Sequence, residues 1–419
     1  MRSARLVVLA SAVAMLGWGT VLPYQYAYAA STRGWGGLVA AGASSLFSVG
    51  ALVAAPVGGR LADRWSPALV AIVAKVVAAV AGAMLMTADR PASFLAGMAV
   101  FGFALAAGGP AQSVLLLART SSDSRRAVFA WLATGQALGM GVGAFAAGYL
   151  VDLHDRDGMD VAFGAAALGF AVSALLVALA ARGVNDITSP PASVPSVPGE
   201  TARALRLVAA SPALRWTAVL TAALALAFYA QFDSGLPAYG LTVLNVSEHT
   251  VGTAAAVNCA VLIVLQMGVV RWTAHRSAPR LLMAVGGIWL LCWVILALAA
   301  RTPELAASIL VVTFGIFGIG ETMYGPVLNP MVAQLAPAGY VGTTLGLFSG
   351  LQTGVSALGP LVAGVALGAG LADTFIGVHV LISAVAVLAA WKLLPAVASV
   401  GRVPEESLMP SPTLARPEG

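Results

Sequence analysis

Along most of this chain, polar residues are confined to short joints between long apolar runs. A helix needs about twenty consecutive apolar residues to cross a bilayer. Runs of that length predict twelve helical spans, near 5–29, 37–61, 67–88, 92–118, 128–151, 161–181, 213–243, 250–270, 280–300, 305–336, 342–371 and 375–394. The longest interruption is NDITSPPASVPSVPGETARALR, between Arg182 and Ser211. Its Pro and Ser content predicts an extended polar linker rather than a folded unit. It parts residues 1–182 from residues 212–395, six spans on each side of a linker at 183–211. The segment 396–419, ending SLMPSPTLARPEG, reads as a disordered tail. The expected fold is an all-α membrane protein of twelve transmembrane helices in two six-helix bundles.

The halves resemble each other. An offset of 216 residues pairs Phe101-Gly102 with Phe317-Gly318 and Gly109-Pro110 with Gly325-Pro326. The same offset pairs Gln136 with Gln352, Gly143 with Gly359, and Gly148 with Gly364. An offset of 212 brings ADRWSP, residues 62–67, over AHRSAP, residues 274–279, and one of 214 aligns Leu22-Pro23 with Leu236-Pro237. A duplicated six-helix unit accounts for these pairs.

Composition agrees with a membrane protein. The 419 residues are 59% hydrophobic and 9% charged, with a mean hydropathy of +0.91, whereas soluble domains carry about 25% charged residues. The net charge of +5 does not mark a nucleic-acid binder, because the basic residues sit at the ends of apolar runs. With the N-terminus inside, eighteen of the 22 Lys and Arg, Lys75 among them, fall on the cytoplasmic side. Only Arg33, Arg90, Arg156 and Arg301 fall outside. That asymmetry places both termini in the cytoplasm, in a cell inner (plasma) membrane protein. MRSAR followed by an apolar run and AYA also reads as a secretory signal, but cleavage there would leave eleven spans and break the repeat.

Cys259 and Cys292 lie in separate spans, which argues against a disulfide or a metal site. There is no HExxH, P-loop or GxSxG, and the four histidines are scattered. No enzyme activity, cofactor or nucleic-acid partner is expected.

Two acids stand deep in apolar surroundings: Asp233 in FYAQFDSGLPAYG, and Glu321 in VVTFGIFGIGETMYGPVLNP. An ionised side chain at mid-membrane costs about 2.5–3.5 kcal/mol on insertion scales, and such residues mark ion and substrate pathways. Helical spacing puts Tyr229 on the face of Asp233 and Tyr324 on that of Glu321. No Lys or Arg lies deep inside either helix, Arg215 standing at the cytoplasmic end of the seventh. An acid that is protonated when occluded and ionised when wet is what proton coupling requires. The plainer reading is a neutral acid hydrogen-bonded between helices. Leu22-Pro23, Gly109-Pro110, Leu236-Pro237, Gly325-Pro326 and Asn329-Pro330 predict helix breaks bordering a cavity. Tyr24, Gln25, Gln112, Gln136, Gln231, Asn329 and Gln352, with the two tyrosines, are its candidate lining.

Between the second and third spans stands GGRLADRWSP, with Gly59, Asp63 and Arg64. It is similar to the signature loop of the major facilitator superfamily, G-x-L-A-D-R-x-G-R-R. Ser66 stands where that family has Gly, and the following basic pair is missing. The resemblance implies a charged turn that latches helix ends in one conformation, completed by Arg119 and Asp123 of the next such loop. The competing reading is an ordinary topogenic turn. Acids on the seventh and tenth helices resemble twelve-helix multidrug/proton antiporters. The fifth helix, TGQALGMGVGAFAAG, is similar to the Gly-rich motif of the exporters, with Ala144 in place of its final Pro. The resemblance implies a monomeric transporter in the lipid bilayer that exports small lipophilic or amphipathic compounds against protons, with the proton gradient as its energy source. A proton-coupled nutrient importer, an uncoupled facilitator and a non-transporting receptor or scaffold are the alternatives.

Overall fold

The computed structural model describes residues 2–118, 120, 125–182, 200–232, 234–273, 276–337 and 340–400, and every regular element among them is helical. Six long helices form the first half: α1 (Arg2–Val21), α2 (Gly37–Arg64), α3 (Pro67–Met86), α4 (Pro91–Ala118), α5 (Arg125–Leu150) and α6 (Asp160–Ala181). Six form the second: α7 (Pro212–Phe232), α8 (Glu248–Thr273), α9 (Ala278–Ala299), α10 (Ala306–Leu335), α11 (Val341–Gly368) and α12 (Ala372–Val400). Among the described residues, eleven helical stretches are long and apolar enough to cross a membrane. The remaining long helix, α5, has 26 residues and packs along α1 and α8. At 1.5 Å per residue it spans about 39 Å, more than the hydrocarbon core. A short helix, Glu200–Ala210, precedes α7 and touches α11.

The packing repeats with the sequence. In the first half α2 packs on α4, α1 on α5 and α6, and α3 on α4 and α6. Adding six to each number gives the second half: α8 on α10, α7 on α11 and α12, and α9 on α10 and α12. The repeated glycines sit where these crossings are tightest. A Cβ at Gly102 would overlap the Phe47 carbonyl, and one at Gly318 would lie 3.1–3.2 Å from Asn258. A Cβ at Gly143 would overlap the Leu16 carbonyl, and one at Gly359 would overlap Ala230. Only a residue without a side chain lets backbones approach so closely. The same geometry explains the Gly-rich α5, whose Gly139 and Gly143 lie against the α1 backbone at Ala12 and Leu16.

The predicted breaks divide into two kinds. α1 yields at Leu22–Tyr24 before continuing through Gln25–Ala27 and a π-helical turn at Tyr28–Thr32. α7 contains a π-helical turn at Ala225–Tyr229 and stops at Phe232; Ser234, at φ −143° and ψ −59°, starts the helix Gly235–Thr242. Pro237 falls in the first turn of that helix, where its missing N–H has no partner to lose. The breaks expected at Gly109-Pro110, Gly325-Pro326 and Asn329-Pro330 do not occur: Pro110 lies inside α4, and Pro326 and Pro330 inside α10. Membrane helices tolerate such prolines because nearby hydroxyls and neighbouring helices take up the freed carbonyls.

The GGRLADR motif is also not a turn. α2 runs through Arg64, and the Trp65 N–H still donates to the Leu61 carbonyl at 2.8 Å. Gly59, Asp63 and Arg64 therefore occupy the last turns of a helix. Their side chains lie outside the described residues, as do Arg119 and Asp123 entirely.

The halves meet along α2–α11 and α5–α8, two contacts related by the same six-helix shift. With twelve crossings, residues 2 and 400 lie on one side, here called the terminal face. The tight contacts between the halves lie at mid-helix and toward the opposite face. Gly37, at the start of α2, abuts Gly364 and Gly368 at the end of α11. Gly148, at the end of α5, abuts Glu248 and His249 at the start of α8. Midway, Ser45 Oγ donates to the Ala357 carbonyl at 3.0 Å. Nearer the terminal end of α11, a Cβ at Gly346, Gly350 or Gly354 would meet nothing within 4 Å. The opposite face is further tied by Asp89, which pairs with Arg33 at 3.0 Å and Arg156 at 3.6 Å.

Candidate functional site

Two polar clusters lie inside the bundles, and a line of polar residues follows the seam between the halves. The first cluster centres on Glu321, half-buried midway along the 30-residue α10. Tyr229 of α7 lies within electrostatic reach of its carboxylate. The Tyr229 ring stands 5.1 Å from that of Tyr324 and 6.0 Å from that of Trp289. Phe228 stacks on Trp289 at 4.8 Å, whose Nε1 donates to the Phe317 carbonyl at 3.1 Å. The Tyr324 hydroxyl reaches Gln352 Oε1 of α11 at 3.4 Å. An acid, two phenols and an amide thus face one another across α7, α10 and α11, walled by aromatic rings. Gly320 makes room for this wall, since any side chain there would strike the Trp289 indole. Trp289 comes from α9, and nothing in its sequence spacing pointed to this role.

Asp233, the other predicted acid, lies outside the described residues.

The second cluster occupies a cavity of about 250 Å³ in the first half. Gln112 of α4 and Gln136 of α5, both predicted, line it together with Ser11 of α1 and Lys75 of α3. Gln112 Nε2 donates to Ser11 Oγ. Gly108 and Gly109 border the same space, so the Gly-Pro step of α4 adjoins a cavity without breaking the helix. Lys75 corrects the charge count. It was assigned to a cytoplasmic flank, but it sits eight residues into α3 and is only 7% exposed. Its signal is present in PALVAIVAKVVAAVAGAMLM, where one lysine interrupts an otherwise uncharged stretch of 20 residues.

The other candidates are placed apart from both clusters. Tyr24 is fully buried, and its hydroxyl donates to the carbonyls of Ala144 at 3.2 Å and Glu248 at 3.0 Å. It bridges α5 and α8 rather than lining a cavity. Gln25 is buried beside it, and Gln231 donates from Nε2 to the Gly359 carbonyl at 3.2 Å. Asn329 is exposed near the terminal end of α10. Cys259 and Cys292 are separate buried thiols.

Residues 7–360 match the sequence profile of the Major Facilitator Superfamily. The chain belongs to that superfamily. Solved structures of its fold align over nearly the whole length. A mutant of the nucleoside transporter NupG superposes with a TM-score of 0.77 at 15% identity, covering 94% of this chain and all of its own. A structure described under substrate recognition in proton-dependent oligopeptide transporters gives 0.74 at 14% identity, covering 95% of this chain and 99% of its own. The peptide transporter POT in complex with sulfate gives 0.74 at 15% identity, covering 96% and 95%. At these identities the likeness is one of fold. A comparison with curated protein sequences finds no match. As a superfamily member with this helix content, the chain is a multi-pass membrane transporter. Its seam is closed toward the opposite face.

Proposed function

We propose that this transporter is proton-coupled and moves small amphipathic organic molecules outward by alternating access. The observation that carries the reading is the aromatic cluster around Glu321, taken here as the wall of the transport chamber: an ionisable group at mid-membrane, flanked by Tyr229, Tyr324 and Trp289, with Gln352 as a polar contact. Aromatic walls take up an apolar cargo body, and a carboxylate at that depth binds and releases protons as the chamber is occluded or wetted. Asp233 is the second proton carrier in this reading. Rocking of the two halves about the pseudo-twofold would expose the chamber alternately to the two faces. The terminal face is cytoplasmic in this reading, the membrane is the plasma membrane, and Gly59, Asp63, Arg64, Arg119 and Asp123 hold one state.

Outward direction rests on the sequence likeness to multidrug/proton antiporters. The inward alternative is favoured by the nucleoside and peptide transporters among the similar structures. Inside-out vesicles separate the two. A proton gradient directed out of such vesicles, with an acidic lumen, drives uptake by an antiporting exporter, whereas a proton-coupled importer accumulates cargo in right-side-out vesicles whose proton gradient is directed inward.

Coupling is tested with Glu321→Gln. The variant is expected to lose gradient-driven accumulation while still exchanging labelled for unlabelled cargo down its gradient. Accumulation equal to the parent's by both Glu321→Gln and Asp233→Asn rules the coupling assignment out.

A further inference from the structure

Lys75 has no place in the chemistry just proposed. It projects from α3, and α3 starts at the terminal face with Pro67. Eight residues of helix carry it about 12 Å from that end, farther than the four methylenes of its stem can reach back to the interface by snorkelling. It is 7% exposed, and it lines the cavity shared by α1, α4 and α5. Among the described residues no acidic side chain lines that cavity, and Lys75 takes part in no ion pair. A buried ammonium without a counter-charge is unfavourable by several kcal/mol, and residues of this kind persist in membranes where they meet a ligand or an ion path.

The rest of the cavity fits a particular ligand. Gln136 and Gln112 supply amides near the ammonium, while Phe129, Leu132 and Phe170 supply an apolar wall. The volume of about 250 Å³ is just under the range of pockets that hold drug-sized ligands. A carboxylate accepts up to four hydrogen bonds and is matched by one ammonium with an amide beside it.

We propose that this cavity binds the carboxylate of a small organic acid, with Lys75 as its counter-charge, Gln136 as a second donor and the ring of Phe129 or Phe170 against its apolar body. The inference rests on the transport reading and narrows it: the amphipathic cargo carries an acid group. Cation and acid are then divided between the halves, Lys75 in the first and Glu321 in the second.

The chain has two lysines, Lys75 and the exposed Lys392, which gives the test an internal control. The purified full chain in detergent is treated with an amine-acylating reagent, and modification of each lysine is followed by peptide mass spectrometry. Benzoate, hexanoate or indole-3-acetate is expected to slow acylation of Lys75, whereas benzamide leaves it unchanged and Lys392 reacts at one rate throughout. If none of the three acids protects Lys75, the proposal is wrong. In proteoliposomes the parent should prefer benzoate to benzamide. Lys75→Gln should reduce that preference about tenfold to a hundredfold, the worth of one charge-assisted hydrogen bond, and Lys75→Arg should restore part of it. A preference unchanged in Lys75→Gln overturns the assignment. The transport reading fails separately: no flux of any compound, with Lys75 still protected by acids, removes transport and leaves the site. Flux without preference for acids removes the site and leaves transport.

Discussion

Addition of one methyl group at Gly364 tests whether the closed seam is one end of a transport cycle. In the closed state a Cβ at this position would overlap the Ala41 methyl and lie 2.8 Å from the Gly37 carbonyl oxygen. Carbon atoms in good contact sit about 3.5–4.0 Å apart. Neither neighbour can turn aside, because Ala41 has no rotamer and Gly37 presents backbone. α2 and α11 must separate, and overpacking of this kind costs about 1–3 kcal/mol. The penalty falls on the closed seam alone, since opening the opposite face draws these helix ends apart. Gly364→Ala should therefore shift the balance toward the open state by the same energy, about 5- to 150-fold.

The shift is readable by spin labels on Leu38→Cys and Leu371→Cys, exposed positions flanking this end of the seam. The native thiols, Cys259 and Cys292, are buried and should label poorly. In the parent, pulsed dipolar spectroscopy should report mainly short distances; in Gly364→Ala a longer population should grow at their expense. Gly350→Ala is the control on the same helix, because a methyl there meets nothing within 4 Å. An unchanged distribution in a folded Gly364→Ala protein, or an equal shift in the control, would refute the wedge.

Two further predictions come from the helix crossings. Gly139→Ala and Gly143→Ala place a methyl against the α1 backbone, so each should lower thermal stability in detergent by about 1–3 kcal/mol; Gly135→Ala, whose new methyl finds 3.5 Å of room, should match the parent or exceed it by up to about 1 kcal/mol. Tyr24→Phe removes the hydroxyl that bridges Ala144 and Glu248, and should raise the open population by about 1 kcal/mol per lost bond, read with the same spin labels.

The fold was legible because every one of its determinants is periodic or repeated. Span length follows from the apolar runs, and the pairs Gly102/Gly318, Gly143/Gly359 and Gly148/Gly364 mark equivalent close crossings. The neighbourhood of Glu321 was partly legible too, since helical spacing put Tyr324 beside it. Trp289 was not, because its approach depends on how α9 packs across α10. Lys75 was misplaced for a related reason. Hydropathy shows that α3 spans, but the cavity that Lys75 lines is formed with Ser11, Gln112 and Gln136 on three other helices. The proline breaks failed where a local rule met its surroundings. Pro110, Pro326 and Pro330 have enough neighbours to stay helical, while α1 and α7 open where a turn or a π-helical segment already loosens the chain.

The seam combines close packing with poor polar satisfaction, and the opposition of these two effects bears on the cycle. Glycines at positions 37, 148, 364 and 368 let backbones meet, which favours closure through many small contacts. On α2 and on the segments beside it at the interruptions of α1 and α7, Ser44 Oγ, Gln25 Oε1, Tyr26 Oη, Gln231 Oε1 and Ser234 Oγ are buried without a protein hydrogen-bond partner. Each such group costs about 1–3 kcal/mol, and each would regain a partner once the seam admits water. Tyr26 shows the coupling directly: its hydroxyl lies 3.1 Å from where a Gly37 Cβ would stand, at the point where α2 meets α11. Replacing Ser44 or Ser234 with alanine deletes an unpaired hydroxyl without touching the packing, so it should favour the closed seam, opposite in sign to Gly364→Ala. A transporter needs two states separated by a few kcal/mol at most, and tight apolar contact set against orphaned polar atoms along one seam brings the two states close in energy, so that a charged latch at the terminal face has only a small difference to tip.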